Sequence, residues 1–353
     1  MKANHRILTV LCMVFVLLGA ALIAGCAEET PAEGTPTATA PPAEEISLKV
    51  FHAGSLTVPF EEMKAAFEAE YPHVEVQLHP GGSTAVCKEI VELDKSADVY
   101  ASADYSLIPS LMVPEDATWY LTFAKNQMVL AYTDQSQYAD EITADNWYEI
   151  LARDDVKWAF SDPNQDPCGY RSPMVIQLAE LHYGDDQIFE TTIEANSDIT
   201  VTESAGVYTI KVPDPVTATG TLQIRPKSVE LVQMLDAGGL DYAFEYRSVA
   251  VQHDLQFVEL PEQVDLSSID WKDRYAEVQI DCVGGVKTGK PIVYGVTVPT
   301  SADHPDTGLA FIKMLIGSSG QDIMESQGQP PIVPAGGYGP VPADLSSLVT
   351  IRG

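Results

Sequence analysis

From residue 46 onward the chain alternates short β-rich runs with amphipathic helical runs, and this rhythm restricts the fold more than any other feature. Residues 47–52 read as a strand. Ala53-Gly54-Ser55 then turns into a helix ending near Tyr71-Pro72, with Phe60, Met63, Ala66 and Phe67 at helical spacing. A second strand at 74–78 feeds through Pro80-Gly81-Gly82-Ser83 into a helix that runs to Leu93. A strand at 98–102 and a helix at 104–111 complete a βαβαβα series. Connections this short demand a mostly parallel sheet with helices on both faces. Ligands of such sheets settle beyond the carboxyl ends of the strands, and Ser55 and Ser83 lie at that rim.

A second unit of the same kind follows. Residues 119–124 and 127–132 read as extended, 145–152 as a helix and 158–160 as a strand. The stretch SDPNQDPCGYRS (161–172) then leads into a helical run at 173–183. Residues 184–226 are irregular, with a β-like pair at 199–202 and 207–212. A helix at 227–237, a strand at 240–246 and a short helix at 247–254 resume the pattern. A strong strand at 292–298 and helices at 306–316 and 321–327 finish the chain. No sequence repeat relates the two units, so the expectation rests on topology. One lobe takes residues 46–125 and 292–353, the other 126–291, and two crossings leave a hinged cleft between them.

The 353 residues, 45% apolar, are ample for packed cores. Acidic residues outnumber basic ones 51 to 20, for a net charge of −31. That balance speaks against nucleic-acid binding, which needs a basic surface to meet phosphates. It also means that any anion must be held by local groups. At the N-terminus, Lys2, His5 and Arg6 precede an apolar run at 7–24 that ends in Ile23-Ala24-Gly25-Cys26. This pattern predicts an export signal over 1–26 resembling a lipobox, with Cys26 carrying lipid; an uncleaved membrane anchor is the other reading. Either puts the remainder outside the cytoplasm. Residues 27–45 hold Pro, Thr, Ala and Glu without a large apolar side chain, as in an extended tether. Beyond it only Cys87, Cys168 and Cys282 remain, enough for one disulfide at most.

Three loops share one construction, a short polar turn feeding a helix start: Gly54-Ser55-Leu56, Gly82-Ser83-Thr84 and Asp166-Pro167-Cys168-Gly169. Helix N-termini expose unpaired N–H donors and partial positive charge, so they receive oxyanions without a formal cation. Serine adds a rotatable donor, and glycine permits close approach. Ordinary N-capping explains any one of these turns, and Asp166 suits that role. Three opening on one cleft point further, to an oxyanion site. Catalytic signatures are missing: HExxH, GxSxG and the phosphate-binding GxxxxGKS do not occur, nor does metal-ligand spacing among Cys and His. His52 lies near the rim and reads more as a structural residue than a functional one. Tyr246 and Arg247, closing the strand at 240–246, either line the cleft or cap the sheet edge.

Longer stretches carry a family resemblance. VFHAGSL (50–56), ADVYASADYSLI (97–108), FAKNQMVLAY (123–132), DPNQDPCGYRS, DYAFEYRSVAVQH (241–253) and GKPIVYGVTVP (289–299) resemble the archaeal-type molybdate/tungstate-binding proteins of ABC importers. The resemblance covers the chain from about residue 46. It implies an α/β, class II periplasmic-binding-protein fold, two lobes joined by two crossing strands and closing on the oxyanion. It also implies that protein carboxylates add to the oxo ligands of the metal. The implied oxyanion site is Ser55, Leu56, Ser83, Asp166, Pro167, Cys168, Ser228 and Tyr246, with Asp166 as a carboxylate ligand to tungsten or molybdenum. The family's second carboxylate falls where this chain has Ser228, which cannot act as one. Glu245 stands in as the candidate second ligand, with Glu230 as another. Strand alternation turns Glu245 away from Tyr246, so five- and six-coordination both stay open.

A carboxylate in an anion site has a physical rationale. Sulfate and phosphate remain four-coordinate, so Asp166 would only repel them. Mo(VI) and W(VI) are hard, larger centres that accept further oxygen donors. The resemblance therefore implies a solute-binding protein, not an enzyme, that delivers tungstate or molybdate to an ABC permease with its ATPase. It implies no cofactor, a monomer and a lipid anchor through Cys26. Rival readings are a sulfate- or phosphate-binding protein, and a secreted hydrolase using Ser55 or Ser83 with a histidine.

Overall fold

The computed structural model describes residues 45–352, so the expected export signal and, apart from Glu45, the tether lie outside the described residues. Strand β1 (Ile46–Ala53) passes through a 3-10 turn (Gly54–Leu56) into α1 (Thr57–Glu70). Strand β2 (Val74–Gly81) leads into α2 (Ser83–Val91), and β3 (Val99–Ser102) follows. The helix expected at 104–111 is replaced by a polar turn and one π turn at Ile108–Met112. The cause is local. Asp104 Oδ1 takes the Ser106 N–H (3.1 Å) and hydroxyl (2.6 Å), offering the backbone an alternative to helix, and Pro109 has no N–H to donate. Strand β4 (Tyr120–Lys125) then ends at Asn126-Gln127, where the chain crosses over.

Beyond the crossing come β5 (Met128–Tyr132), α3 (Trp147–Leu151), β6 (Trp158–Ser161) and α4 (Pro167–Tyr183). The excursion holds α5 (Ile188–Thr192), β7 (Thr200–Ser204) and β8 (Val207–Lys211). Next are β9 (Leu222–Arg225), α6 (Ser228–Asp236), β10 (Tyr242–Tyr246), α7 (Arg247–Gln252) and β11 (Gln256–Glu259). Helix α8 (Lys272–Tyr275) and the hairpin of β12 (Val278–Cys282) and β13 (Gly285–Thr288) complete this part. The chain then crosses back into β14 (Val293–Thr297), α9 (Pro305–Ile316), α10 (Ser318–Ser326), β15 (Pro331–Tyr338) and β16 (Val349–Ile351).

These strands form three sheets, ordered β16-β15-β4-β14-β3-β1-β2, β11-β5-β10-β6-β9 and β13-β12-β8-β7. The first is the sheet of one lobe. Its core packs Leu48 and Val50 against Phe60, Phe67 and Phe311. The other two enclose the second core, with Trp147, Trp158, Phe160 and Phe244. Helix α4 packs on β6 and β10 on one side and on β8 and β12 on the other. It is buried from Ser172 through Glu180, and the polar side chains in that stretch are hydrogen-bonded, Ser172 to the Cys168 carbonyl and Glu180 to Gln177 and the Phe189 N–H. It begins six residues earlier than expected, because proline is well tolerated at the first helical position and Asp166 caps it. The β-like pair of the excursion forms one edge of the third sheet, completed by β12 and β13. Cys87, Cys168 and Cys282 are all buried and free, so the one possible disulfide is not made.

Candidate functional site

The two crossings leave a cleft of about 680 Å³ between the lobes. Ser55, Ser83, Asn126, Arg171, Tyr246 and Tyr294 are among its lining residues. A second cavity of about 590 Å³ adjoins it and shares Pro167, Tyr170, Arg171 and Lys290; Asp166 lines this one.

On the first lobe the donors are neutral. Ser55, in the turn before α1, is exposed, and its Oγ accepts from the Tyr294 hydroxyl at 3.2 Å. Ser83 opens α2, and its Oγ is held by the Ala103 N–H at 3.1 Å. Gly82, Thr84 and Ala85 line the cleft beside it, so the first turn of α2, whose N–H groups lack intrahelical partners, borders the space. At Gly54 an added Cβ would come no closer than 3.8 Å to a neighbour, and at Gly82 it would meet nothing within 4 Å. The close approach expected of these glycines is therefore not used in packing. The Leu56 side chain is fully buried in the core, and Leu56 is not among the residues that line the cleft. His52 is buried against Phe60 with Nδ1 2.9 Å from the Ala53 carbonyl, and burial holds its pKa below the ordinary value.

On the second lobe a carboxylate fills the corresponding place. Asp166 Oδ1 accepts the Cys168 N–H at 2.8 Å, and Oδ2 accepts the Ser228 N–H at 3.0 Å. One side chain thus caps α4 and α6 together. Gly169 makes the geometry possible: a Cβ there would stand 2.2 Å from the Ser161 carbonyl oxygen. Ser228 joins the site through its backbone. Cys168 spends its N–H on Asp166, and its thiol, raised by burial and then by Glu245 and Asp166, stays protonated near the Phe244 carbonyl. Glu245 is fully buried and is absent from the linings of both cavities; its Oε2 lies 3.9 Å from Cys168 Sγ and its Oε1 has no partner. Burial, then the Asp166 carboxylate, pushes it up to about 8. Glu245 therefore does not border the cleft, as a second carboxylate would have to.

Two residues outside the expected set complete the arrangement. Arg171 Nη1 donates to Tyr246 Oη at 2.5 Å and lies 3.3 Å from the Pro167 carbonyl. Tyr246, whose pKa burial raises, therefore keeps its own proton for another acceptor. Arg171 lies inside α4, five residues beyond its Asp166 cap and within the DPNQDPCGYRS stretch. Asn126 is buried at the crossing. Its Nδ2 donates to Ser248 Oγ (2.8 Å) and Tyr294 Oη (3.4 Å), while Oδ1 accepts from the N–H groups of Gln127 (3.0 Å) and Ser248 (3.3 Å). This network ties the floor of the cleft to both lobes. Nothing in periodicity marks an asparagine for such a role.

Among known proteins, a family described as bacterial extracellular solute-binding protein matches residues 48–329. An uncharacterized solute-binding protein of Methanoculleus marisnigri is 64% identical over 97% of this chain and 98% of its own length. The molybdate/tungstate-binding protein WtpA of Thermococcus kodakarensis is 40% identical over 97% of both chains. In structure, a Clostridium difficile substrate-binding domain assigned to a molybdenum ABC transporter superposes with a TM-score of 0.56 at 18% identity, covering 81% of this chain and 99% of that one. The two-lobed arrangement of sheets is thus the one found in periplasmic binding proteins, and the chain belongs to the extracellular solute-binding protein family, alongside WtpA.

Proposed function

We propose that this chain captures tungstate or molybdate outside the cytoplasm and delivers it to an ABC permease with its ATPase. The observation that carries this reading is the Asp166 carboxylate, held by the Cys168 and Ser228 N–H groups at two helix starts and lining the cavity that adjoins the cleft through Pro167 and Arg171. Hydroxyls of Ser55, Ser83 and Tyr246 and the first turn of α2 supply hydrogen bonds to oxo groups, and Arg171 supplies the positive charge. Asp166 supplies an oxygen that a large hexavalent metal accepts and that sulfur or phosphorus does not. The 40% identity to a molybdate/tungstate-binding relative across nearly the whole chain supports the same assignment. The protein acts by binding alone, without a cofactor, as a monomer held to the membrane by lipid on Cys26. Against a hydrolase reading, neither serine hydroxyl is hydrogen-bonded to a base among the described residues: Ser55 Oγ meets the Tyr294 hydroxyl, Ser83 Oγ meets a backbone N–H, and His52 is buried against Phe60. Calorimetric titration with tungstate, molybdate and sulfate tests the proposal. Tungstate or molybdate should bind at least about a hundredfold tighter than sulfate, a gap of about 2.7 kcal/mol. Sulfate binding within about tenfold of both would overturn it.

A further inference from the structure

The cavity beside the cleft, which Asp166 and Arg171 also line, holds a further cation that capture in the cleft does not use, Lys287. It lies between the first turn of α4 and the β12–β13 hairpin, which β8 anchors through parallel pairing with β12. Arg171, Lys287 and Lys290 all line it, in a chain of only 20 basic residues against 51 acidic. Lys290 is committed to Asp104. Among the described residues, Arg171 and Lys287 make no ion pair within 4.0 Å. Both approach the same ring: the Arg171 guanidinium is 4.9 Å and the Lys287 ammonium 5.5 Å from the Tyr170 centroid. The only carboxylate in the lining is Asp166, whose two oxygens already take backbone N–H groups.

A free dianion is repelled by a chain of net charge −31, but that field fades over about 8 Å at physiological ionic strength. Inside that distance the sign is set by whichever charges line the surface it meets, and concave walls focus their field. We propose that this cavity is an antechamber for the oxyanion and that Lys287 is its capture residue. The ammonium meets the dianion first; Arg171, whose side chain borders both spaces, then draws it toward Tyr246 in the cleft. Lys287 does not line the cleft, so it speeds arrival and has no part in retention. This inference rests on the oxyanion reading of the cleft.

The test is stopped-flow measurement of tungstate association and dissociation for the full chain and for Lys287→Gln and Lys287→Arg. In low salt, Lys287→Gln should associate about three- to tenfold more slowly with an unchanged dissociation rate. Lys287→Arg should restore association, and the difference should vanish by about 0.5 M salt. Equal association rates at low salt, or a change confined to dissociation, would overturn the antechamber. Wild-type protein that binds none of the three oxyanions would take down the cleft reading and this inference with it. Normal wild-type affinity with an unaltered Lys287→Gln association rate would remove the antechamber alone.

Discussion

The two lobes follow one path and furnish it differently. In the first, β2-β1-β3 run parallel and β14, arriving from the other lobe, lies antiparallel on β3. In the second, β9-β6-β10 run parallel and β5, also arriving from the other lobe, lies antiparallel on β10. The turn after β1 carries Ser55, and the turn after β6 carries Asp166. Helix α2 opens on Ser83, and α6 opens on Ser228. At equivalent points one lobe presents hydroxyls and the first turn of α2, while the other spends two helix N-termini on its own carboxylate. Under the proposed function this difference is a division of labour: the first lobe would hold a tetrahedral oxyanion by hydrogen bonds, and the carboxylate of the second would decide which central atom is accepted.

The largest effect that can break this division is at Asp166. Replacement by Asn removes the donor oxygen to the metal, and the amide nitrogen would face either the Cys168 or the Ser228 N–H. One buried N–H then loses its acceptor, at a cost of about 1–3 kcal/mol in stability. Tungstate affinity should fall by about a hundredfold or more, measured by titration below the melting range, while sulfate binds no more weakly than to wild type. Equal losses for both ions would reduce Asp166 to a helix cap.

Ser55 sharpens the other half. Ser55→Ala deletes a neutral donor on the non-selective lobe and leaves only the Tyr294 hydroxyl short of a partner. Affinity should drop by about tenfold for tungstate, molybdate and sulfate alike, about 1.4 kcal/mol, with little change in melting temperature. A loss restricted to tungstate would place selectivity on both lobes.

Much of this frame was legible in the sequence, because its signals are local. The first βαβαβ elements, without the helix expected at 104–111, the β14 strand, and the Ser55, Ser83 and Asp166 turns follow from periodicity and capping chemistry. What escaped depends on distant partners. Strand β15 (PIVPAGGY) has two prolines and two glycines and no alternation; pairing with β4 and β16 makes it a strand. Strand β9 is four residues long and exists because β6 offers a parallel edge. The dual cap needs the loop before α4 and the start of α6, 62 residues apart, to meet. The topological repeat of the lobes left no repeat in sequence, since β pairing constrains the backbone path far more than side-chain identity.

The smallest effect concerns pH, and here the lobes should move in opposite directions. In the second lobe burial pushes Glu180 up to about 7 and Asp265 up to about 7, and Glu245 shifts in the same sense. Acids with raised folded-state pKa values contribute stability that is complete below their ordinary values near 4 and lost as pH rises through about 7. In the first lobe buried His52 is held neutral, with its pKa below 6.5. Its contribution is complete above 6.5 and lost as pH falls below it. Asp116 opposes this, but it lies near the surface, where solvent screens it. Raising the pH from about 5 to 7.5 should therefore increase hydrogen-exchange protection around β1 and α1 and decrease it along α4 and β10. Glu180→Gln should flatten the second-lobe slope and leave the first unchanged. Parallel slopes in both lobes would mean that they unfold as one unit, with the Asn126 network coupling them too tightly for either to answer pH alone.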